Sequence, residues 1–258
     1  MNILITAGNT LVPIDKVRAI SNIFTGRTGA ALAIHAHERG HAVTLLTSHP
    51  DAVSGITGAV TTQGSSRWTL LAYKTFDDLE NMMARLIARQ PEAPARGFNS
   101  LDAVIHCAAV SDYRSAGIFA PAPGTQFNPN RNLWESTKGA PGFQDRAAGK
   151  VKSDEPELWI RLVRTPKLVD RIRSVWDFAG LLVKFKLEVG ITEEELVAVA
   201  ERSRKQSNAD VMVANTLEGS AYWAYLGPIN GAYQRISRRE LPEKLLAALE
   251  SKHKERHG

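Results

Sequence analysis

The chain has one cysteine, Cys107, in 258 residues. That excludes an internal disulfide and fits a reducing compartment. No apolar run approaches the roughly 20 residues that a membrane-spanning helix needs. No basic stretch followed by an apolar one opens the chain, so secretion is not indicated and a cytoplasmic protein is expected. The excess of Lys and Arg (32) over Asp and Glu (27) is small. Without a dense basic patch or a nucleic-acid module, it reads as a solvated surface with anionic small-molecule ligands, not as a nucleic-acid binder. Neither G-x-G-x-x-G nor G-x-x-x-x-G-K-[ST] occurs. The histidines His35, His37 and His41 do not converge on one helix face, so no protein-held metal is expected.

What is present is organised around Ile3 to Gly40. An apolar strand (Ile3, Leu4, Ile5) breaks at Ala7-Gly8, passes through a polar loop with Asp15, Arg18, Ser21 and Asn22, and restarts as a helix at Thr25-Gly26-Arg27-Thr28-Gly29. Small residues let backbone N–H groups approach an anion, and the helix N-terminus adds partial positive charge. The loop is long for such a unit. Its hydrogen-bonding side chains mark it as a reaction site more than a spacer.

Downstream, strands are expected at His41–Thr47, Arg67–Lys74, Leu101–Ala109, Ala179–Lys186 and Asp210–Ala214. Helices are expected from Thr75, from Pro166, from the Thr192/Glu195 capping box through Gln206, and after Ser237 and Glu240. Ser48–Gly64 and Gln90–Ser100 read as loops. The alternation implies an α/β fold, a Rossmann-like doubly wound and mainly parallel sheet with helices on both faces. Ligands of such sheets sit at the carboxyl ends of the strands, here Thr6–Asn9, Thr47–Pro50 and Ala108–Arg114. The whole chain, 1–258, reads as one domain. Residues 115–148 read as a long lid-like insert without regular structure, and 149–165 as a small antiparallel β lobe with strands at Lys150–Ser153 and Glu157–Arg164.

The block TAGNTLVPIDKVRAISNIFTGRTGAALA resembles the opening of the phosphopantothenate-cysteine ligases. Thr6, Ala7, Gly8, Thr10, Pro13, Ile14, Asp15, Val17, Arg18, Ile20, Ser21, Asn22, Gly26 and Gly29 match, while Phe24 stands where a small hydroxyl residue is common. IHCAAVSDYR (Ile105 to Arg114), GKVKS (Gly149 to Ser153), VKFKLE (Val183 to Glu188) and NADVMVAN (Asn208 to Asn215) are similar to further motifs of that family.

The resemblance implies a ligase that joins 4′-phosphopantothenate to L-cysteine through an acyl-nucleotide, a step of coenzyme A biosynthesis. Catalytic roles fall to Asn22, which would grip the acyl-nucleotide carbonyl, and Lys150, which would face the triphosphate. The nucleotide would lie against Gly8, Ala108, Asp112, Lys150 and the ring of Phe185. Substrate contacts would come from Arg18, Asn22, Gly26, Arg27, Gly29 and Asn215. Mg²⁺ is implied with CTP or ATP as co-substrate. Ser203 and Ser207 replace two lysines of the CTP-using members, and the FKLE and VANTLE segments look closer to ATP-using ones. The chain opens directly on the ligase-like strand, so no flavin is expected. A homodimer is the family expectation.

Two rivals share the fold class. A short-chain NAD(P)-dependent reductase would need Tyr-x-x-x-Lys, and none of Tyr73, Tyr113, Tyr222, Tyr225 or Tyr233 has Lys four residues on. A non-catalytic nucleotide-binding regulator would bind without turnover.

Overall fold

The computed structural model describes residues 1–57, 64–88 and 101–258. In chain order its elements are β1 (Asn2–Ala7), β2 (Leu11–Pro13), β3 (Ala19–Ser21), α1 (Arg27–Glu38), β4 (Ala42–Thr47), α2 (Asp51–Thr57), β5 (Trp68–Ala72), α3 (Phe76–Ile87), β6 (Ala103–His106), β7 (Tyr113–Pro121) and β8 (Thr125–Asn128). There follow β9 (Leu133–Ser136), β10 (Phe143–Asp145), β11 (Trp159–Arg164), α4 (Leu168–Ser174), β12 (Leu181–Glu188), α5 (Glu193–Gln206), β13 (Val211–Thr216), β14 (Trp223–Ile229), β15 (Ala232–Ser237) and α6 (Leu241–His257). Two compact units result: Met1–Thr10, Ile23–Val110 and Lys167–Gly258 form one, and Leu11–Asn22 with Ser111–Pro166 form the other.

The larger unit is built on one sheet of order β15-β14-β13-β12-β6-β1-β4-β5. The six strands from β13 to β5 pair in parallel, and β14 and β15 add antiparallel at one edge. Successive strand residues point to opposite faces. Ile3 and Ile5 therefore pack with Leu32 and Ile34 of α1 and with Leu245 and Leu249 of α6. Leu4, Val104 and Leu182 pack on the other side with Leu79 and Met83 of α3 and Ile172 of α4. Helices thus cover both faces, the doubly wound architecture that the alternation of elements implies. The expected Thr192/Glu195 capping box forms, and the expected cap at Thr75 is also a box, closed with Asp78. Each satisfies two otherwise orphaned N–H groups.

The smaller unit contains the sheet β10-β7-β11 and the hairpins β2-β3 and β8-β9. Residues 115–148, expected to lack regular structure, hold most of β7 and all of β8, β9 and β10. Prolines and glycines hid the pairing, but the aromatics reveal its cause. Trp134 lies 5.3 Å from Phe127, 4.8 Å from Phe143 and 4.6 Å from Trp159, centroid to centroid. Such contacts contribute about 0.5–1.5 kcal/mol each beyond area burial, a sizeable share for so small a core.

Of the two strands expected in 149–165, only the second forms, as β11, and it pairs with β7. The reason is local. The Val151 N–H donates to Asp15 Oδ2 at 3.0 Å, and its carbonyl accepts from Arg18 Nη2 at 2.8 Å. Backbone groups that a strand would offer to a neighbour are taken by side chains.

Within the expected loop Ser48–Gly64, residues Asp51–Thr57 form α2. Residues 58–63, and the expected connection 90–100, lie outside the described residues. The β14-β15 hairpin went unread, although Asn230-Gly231 is a strong turn signal. Both residues take positive φ, 50° and 82°.

Candidate active site

The parallel strands run β5-β4-β1-β6-β12-β13, so the winding reverses between β1 and β6. There the chain is stitched closely. Cys107 N donates to the Thr6 carbonyl at 3.2 Å, and Ala109 N donates to the Gly8 carbonyl at 2.8 Å. Ala108 N donates to Thr6 Oγ1 at 3.2 Å. Asn9 and Ala109 form an isolated parallel bridge just beyond the strands.

Three glycines make this geometry possible. Gly8 has φ 89°, and an added Cβ would lie 2.1 Å from Ser48 Oγ. Gly26, the residue before α1, has φ 78° and would place a Cβ 2.6 Å from the Gly8 nitrogen. Gly29 would place one 2.6 Å from the Ala7 Cβ. A tight turn, a close backbone approach and close helix-to-strand packing are the three roles glycine plays in a dinucleotide fingerprint. Here the first is separated from the others by the segment Leu11–Asn22, which belongs to the smaller unit. This is why no compact motif is visible in the sequence.

Gly8, Ala108, Gly26, Arg27 and Gly29 are therefore brought together around the end of β1 and the start of α1. Phe185 lies on β12, one residue past the Lys184–His106 register pair, half-buried against the cluster shared with α1 and α6. Asn215 is the penultimate residue of β13, in register with Leu187. The other predicted residues, Arg18, Asn22, Asp112 and Lys150, belong to the smaller unit. Asn22 is exposed and follows β3, its carbonyl accepting from Ser21 Oγ at 2.9 Å. Lys150 is exposed beside Val151, and the Asp112 carbonyl accepts from Thr165 N at 3.0 Å.

Arg18 is committed. Its Nε and Nη2 reach Asp15 Oδ2 at 3.1 and 2.7 Å, a pairing that leaves the guanidinium firmly oriented. Asp15 also accepts from the Val17 and Arg18 N–H groups, both at 2.8 Å. The Arg18 guanidinium and these N–H donors hold the Asp15 carboxyl well below the usual carboxylate range.

Sequence reasoning missed several neighbours of the turn. Ser48 Oγ accepts from Asn9 N at 2.9 Å, and Tyr73 Oη donates to the Ala7 carbonyl at 2.7 Å. Burial raises the Tyr73 phenol above its ordinary range. Arg238, just after β15, donates to Thr28 Oγ1 in the first turn of α1, and burial lowers its pKa. These residues lie far from the motif in sequence, and only the sheet brings them near. Burial pushes the Cys107 thiol up to about 12, so the thiol is protonated at neutral pH.

Residues 1–120 match the family model of the DNA/pantothenate metabolism flavoprotein C-terminal domain. A crystal structure of the DNA/pantothenate metabolism flavoprotein from Streptococcus pneumoniae shares 25% identity at a TM-score of 0.71, covering 98% of this chain and all (100%) of that one. The chain is thus similar to this domain family in sequence over its first 120 residues and in fold over nearly its whole length. The coenzyme A biosynthesis bifunctional protein CoaBC of Thermococcus kodakarensis is 28% identical over 253 residues, which is 96% of this chain and 50% of the relative. The chain thus spans about half the length of that curated relative. A Cab2 mutant solved in complex with phosphopantothenate-cysteine shares the fold at a TM-score of 0.63 and 17% identity, over 98% of this chain and 86% of that one.

Proposed function

We propose that this chain is a nucleoside-triphosphate-dependent phosphopantothenate-cysteine ligase. The observation that carries the reading is the divided glycine cradle, Gly8 with Gly26 and Gly29, at the reversal point of the sheet. It fits a phosphate-bearing ligand at a helix N-terminus. The likeness to a CoaBC protein over 96% of the chain supports the same reaction class.

In this reading the carboxylate of 4′-phosphopantothenate attacks the α-phosphorus of CTP or ATP. Pyrophosphate leaves, and an acyl-nucleotide remains. The amine of L-cysteine then attacks the acyl carbon, the nucleoside monophosphate departs, and the amine loses a proton as the amide forms. Activation is needed because a free carboxylate has no good leaving group. Lys150 stabilises charge on the triphosphate and Asn22 holds the acyl carbonyl. Gly8, Ala108, Asp112 and Phe185 receive the nucleotide. Gly26, Arg27, Gly29 and Asn215 receive the acid, and Arg18, oriented by Asp15, supports them.

Among the described residues no group of three or more His, Cys, Asp or Glu is placed to hold a metal ion. In this reading Mg²⁺ would enter with the triphosphate, and the Asp112 carboxylate would accept a hydrogen bond from a metal-bound water. When bound, the ion neutralises developing charge on the phosphates. We also propose that the chain works as a cytoplasmic homodimer.

The test is pyrophosphate release from protein, Mg²⁺, phosphopantothenate and either CTP or ATP, followed by addition of cysteine. Release with one nucleotide, and amide product after cysteine, is the expected result. Nucleotide binding without turnover would instead favour a regulator.

A further inference from the structure

Parallel strands covered on both faces are ordinarily apolar throughout. On the face where Leu4, Val104 and Leu182 pack, the next residues outward on the same three strands are Thr6, His106 and Lys184. They stand in register, Thr6 beside His106 and His106 beside Lys184. All three are buried, with relative exposures of 0, 7 and 6%. A buried polar row of this kind is costly unless each member is hydrogen-bonded, so its partners are informative.

At one end Lys184 Nζ donates to the Ser203 carbonyl at 3.0 Å and has Ser207 Oγ as a second partner. These groups belong to the C-terminal turn and cap of α5, where a cation is favoured. At the other end the row leaves the helices and meets the reversal point. Thr6 Oγ1 lies 3.0 Å from His106 Nδ1 and accepts the Ala108 N–H at 3.2 Å. The β6–β12 register ends at the Lys184–His106 pair, so the Ala108 amide lies beyond that ladder and is held by a side chain. With the Ala108 amide on one lone pair, the Thr6 hydroxyl is free to donate its proton to a neutral His106. Burial, and the charge of Lys184, hold His106 near 4 and therefore neutral at physiological pH.

We propose that Thr6 and His106 are positioning residues for nucleotide binding: His106 orients the Thr6 hydroxyl, and that hydroxyl sets the backbone of Ala108 and Ala109 against Gly8. The inference rests on the ligase reading only in taking the nucleotide as the ligand at this turn. The chemistry required of that ligand is a phosphate or ribose group that reads backbone geometry at the strand end. A shift of the Ala108 peptide would move its contact points without removing any side chain that touches the ligand.

The test is calorimetric binding of ATP and of CTP, each with Mg²⁺, to the full chain and to Thr6→Val, Thr6→Ser, His106→Leu and His106→Asn. Thermal melts of every variant run alongside. Thr6→Val keeps the shape and loses the hydroxyl, and the expected result is about a tenfold weaker Kd, the low end of what one unpaired buried amide costs. Thr6→Ser restores the affinity. His106→Leu weakens binding in the same direction, and His106→Asn, which keeps an acceptor, recovers part of it. Should Thr6→Val fail to fold, the comparison of Thr6→Ser with His106→Leu and His106→Asn carries the test. Unchanged Kd in Thr6→Val and His106→Leu overturns the inference, as does a loss that merely tracks the unfolded fraction. Binding by the wild-type chain without pyrophosphate release would sink the ligase reading and leave this inference standing, whereas no binding of either nucleotide overturns both.

Discussion

A Cβ on Gly26 would sit 2.6 Å from the amide nitrogen of Gly8, although the two residues are separated by a segment that folds into the other unit. The start of α1 and the end of β1 thus meet backbone to backbone. Gly26→Ala forces both a side chain into that contact and a positive φ on a residue that disfavours it. We expect a loss of roughly 1–3 kcal/mol, with weaker nucleotide binding. Gly55→Ala, in α2 with nothing within 4 Å of its added Cβ, serves as the contrast and should be neutral or slightly stabilising. Chemical denaturation of both variants measures the difference.

Asp15 is the tie between the segment before β3 and the residues after β10. Its carboxyl is depressed, so its contribution to stability is present above the ordinary carboxylate pKa and is lost as pH falls through the lower folded value. Asp15→Asn keeps the shape but cannot accept from all these donors at once. Hydrogen exchange at the Val17, Arg18 and Val151 amides should become faster at neutral pH, by about tenfold or more for each bond lost. Unchanged protection would show that the tie is dispensable.

His106 loses stability on acidification in the same direction as Asp15 but for a different reason, being buried neutral and not held as a charged partner. Its folded value is about 4 against an ordinary 6.5, so the unfolded chain binds more protons between those pH values. Stability from this group is therefore full above about pH 6.5 and falls as the solution is acidified toward pH 4. Between pH 7.5 and 5 the wild-type chain should lose roughly 2 kcal/mol more than His106→Asn. Urea unfolding at the two pH values gives the comparison directly.

The two half-reactions separate the roles proposed for the smaller unit. Lys150→Gln should slow acyl-nucleotide formation by about 10²–10³, the loss expected when one charge-stabilising donor is removed. Asn22→Asp should still release pyrophosphate and then stall when cysteine is added. Trapping of the acyl-nucleotide by mass spectrometry distinguishes the two. Equal loss of both steps in both variants would count against the assignment.

Patterns with a local cause were legible in the linear chain. The cap at Thr75, the capping box at Thr192 and the apolar helical spacing of Leu79 and Met83 need only neighbours within a few residues. Parallel strands such as β6 declare themselves because both faces are buried. Residues 115–148 were opaque for the opposite reason. Their strands are short and only partly buried, and the ring cluster of Trp134 and Trp159 joins residues 25 positions apart. The Asn230-Gly231 turn has a local cause as well, since both residues favour the positive φ that it requires.

By itself the order of residues determined the doubly wound class and the small residues at the end of the first strand, because these depend on composition and short-range spacing; its motifs carried the family resemblance. Tertiary structure alone decided that Gly8, Gly26 and Gly29 form one cradle, that Arg18 is bound to Asp15 and Val151, and that Thr6, His106 and Lys184 share a row. Those relationships rest on strand order and register, and contacts between segments far apart in the chain leave no periodic trace in either segment.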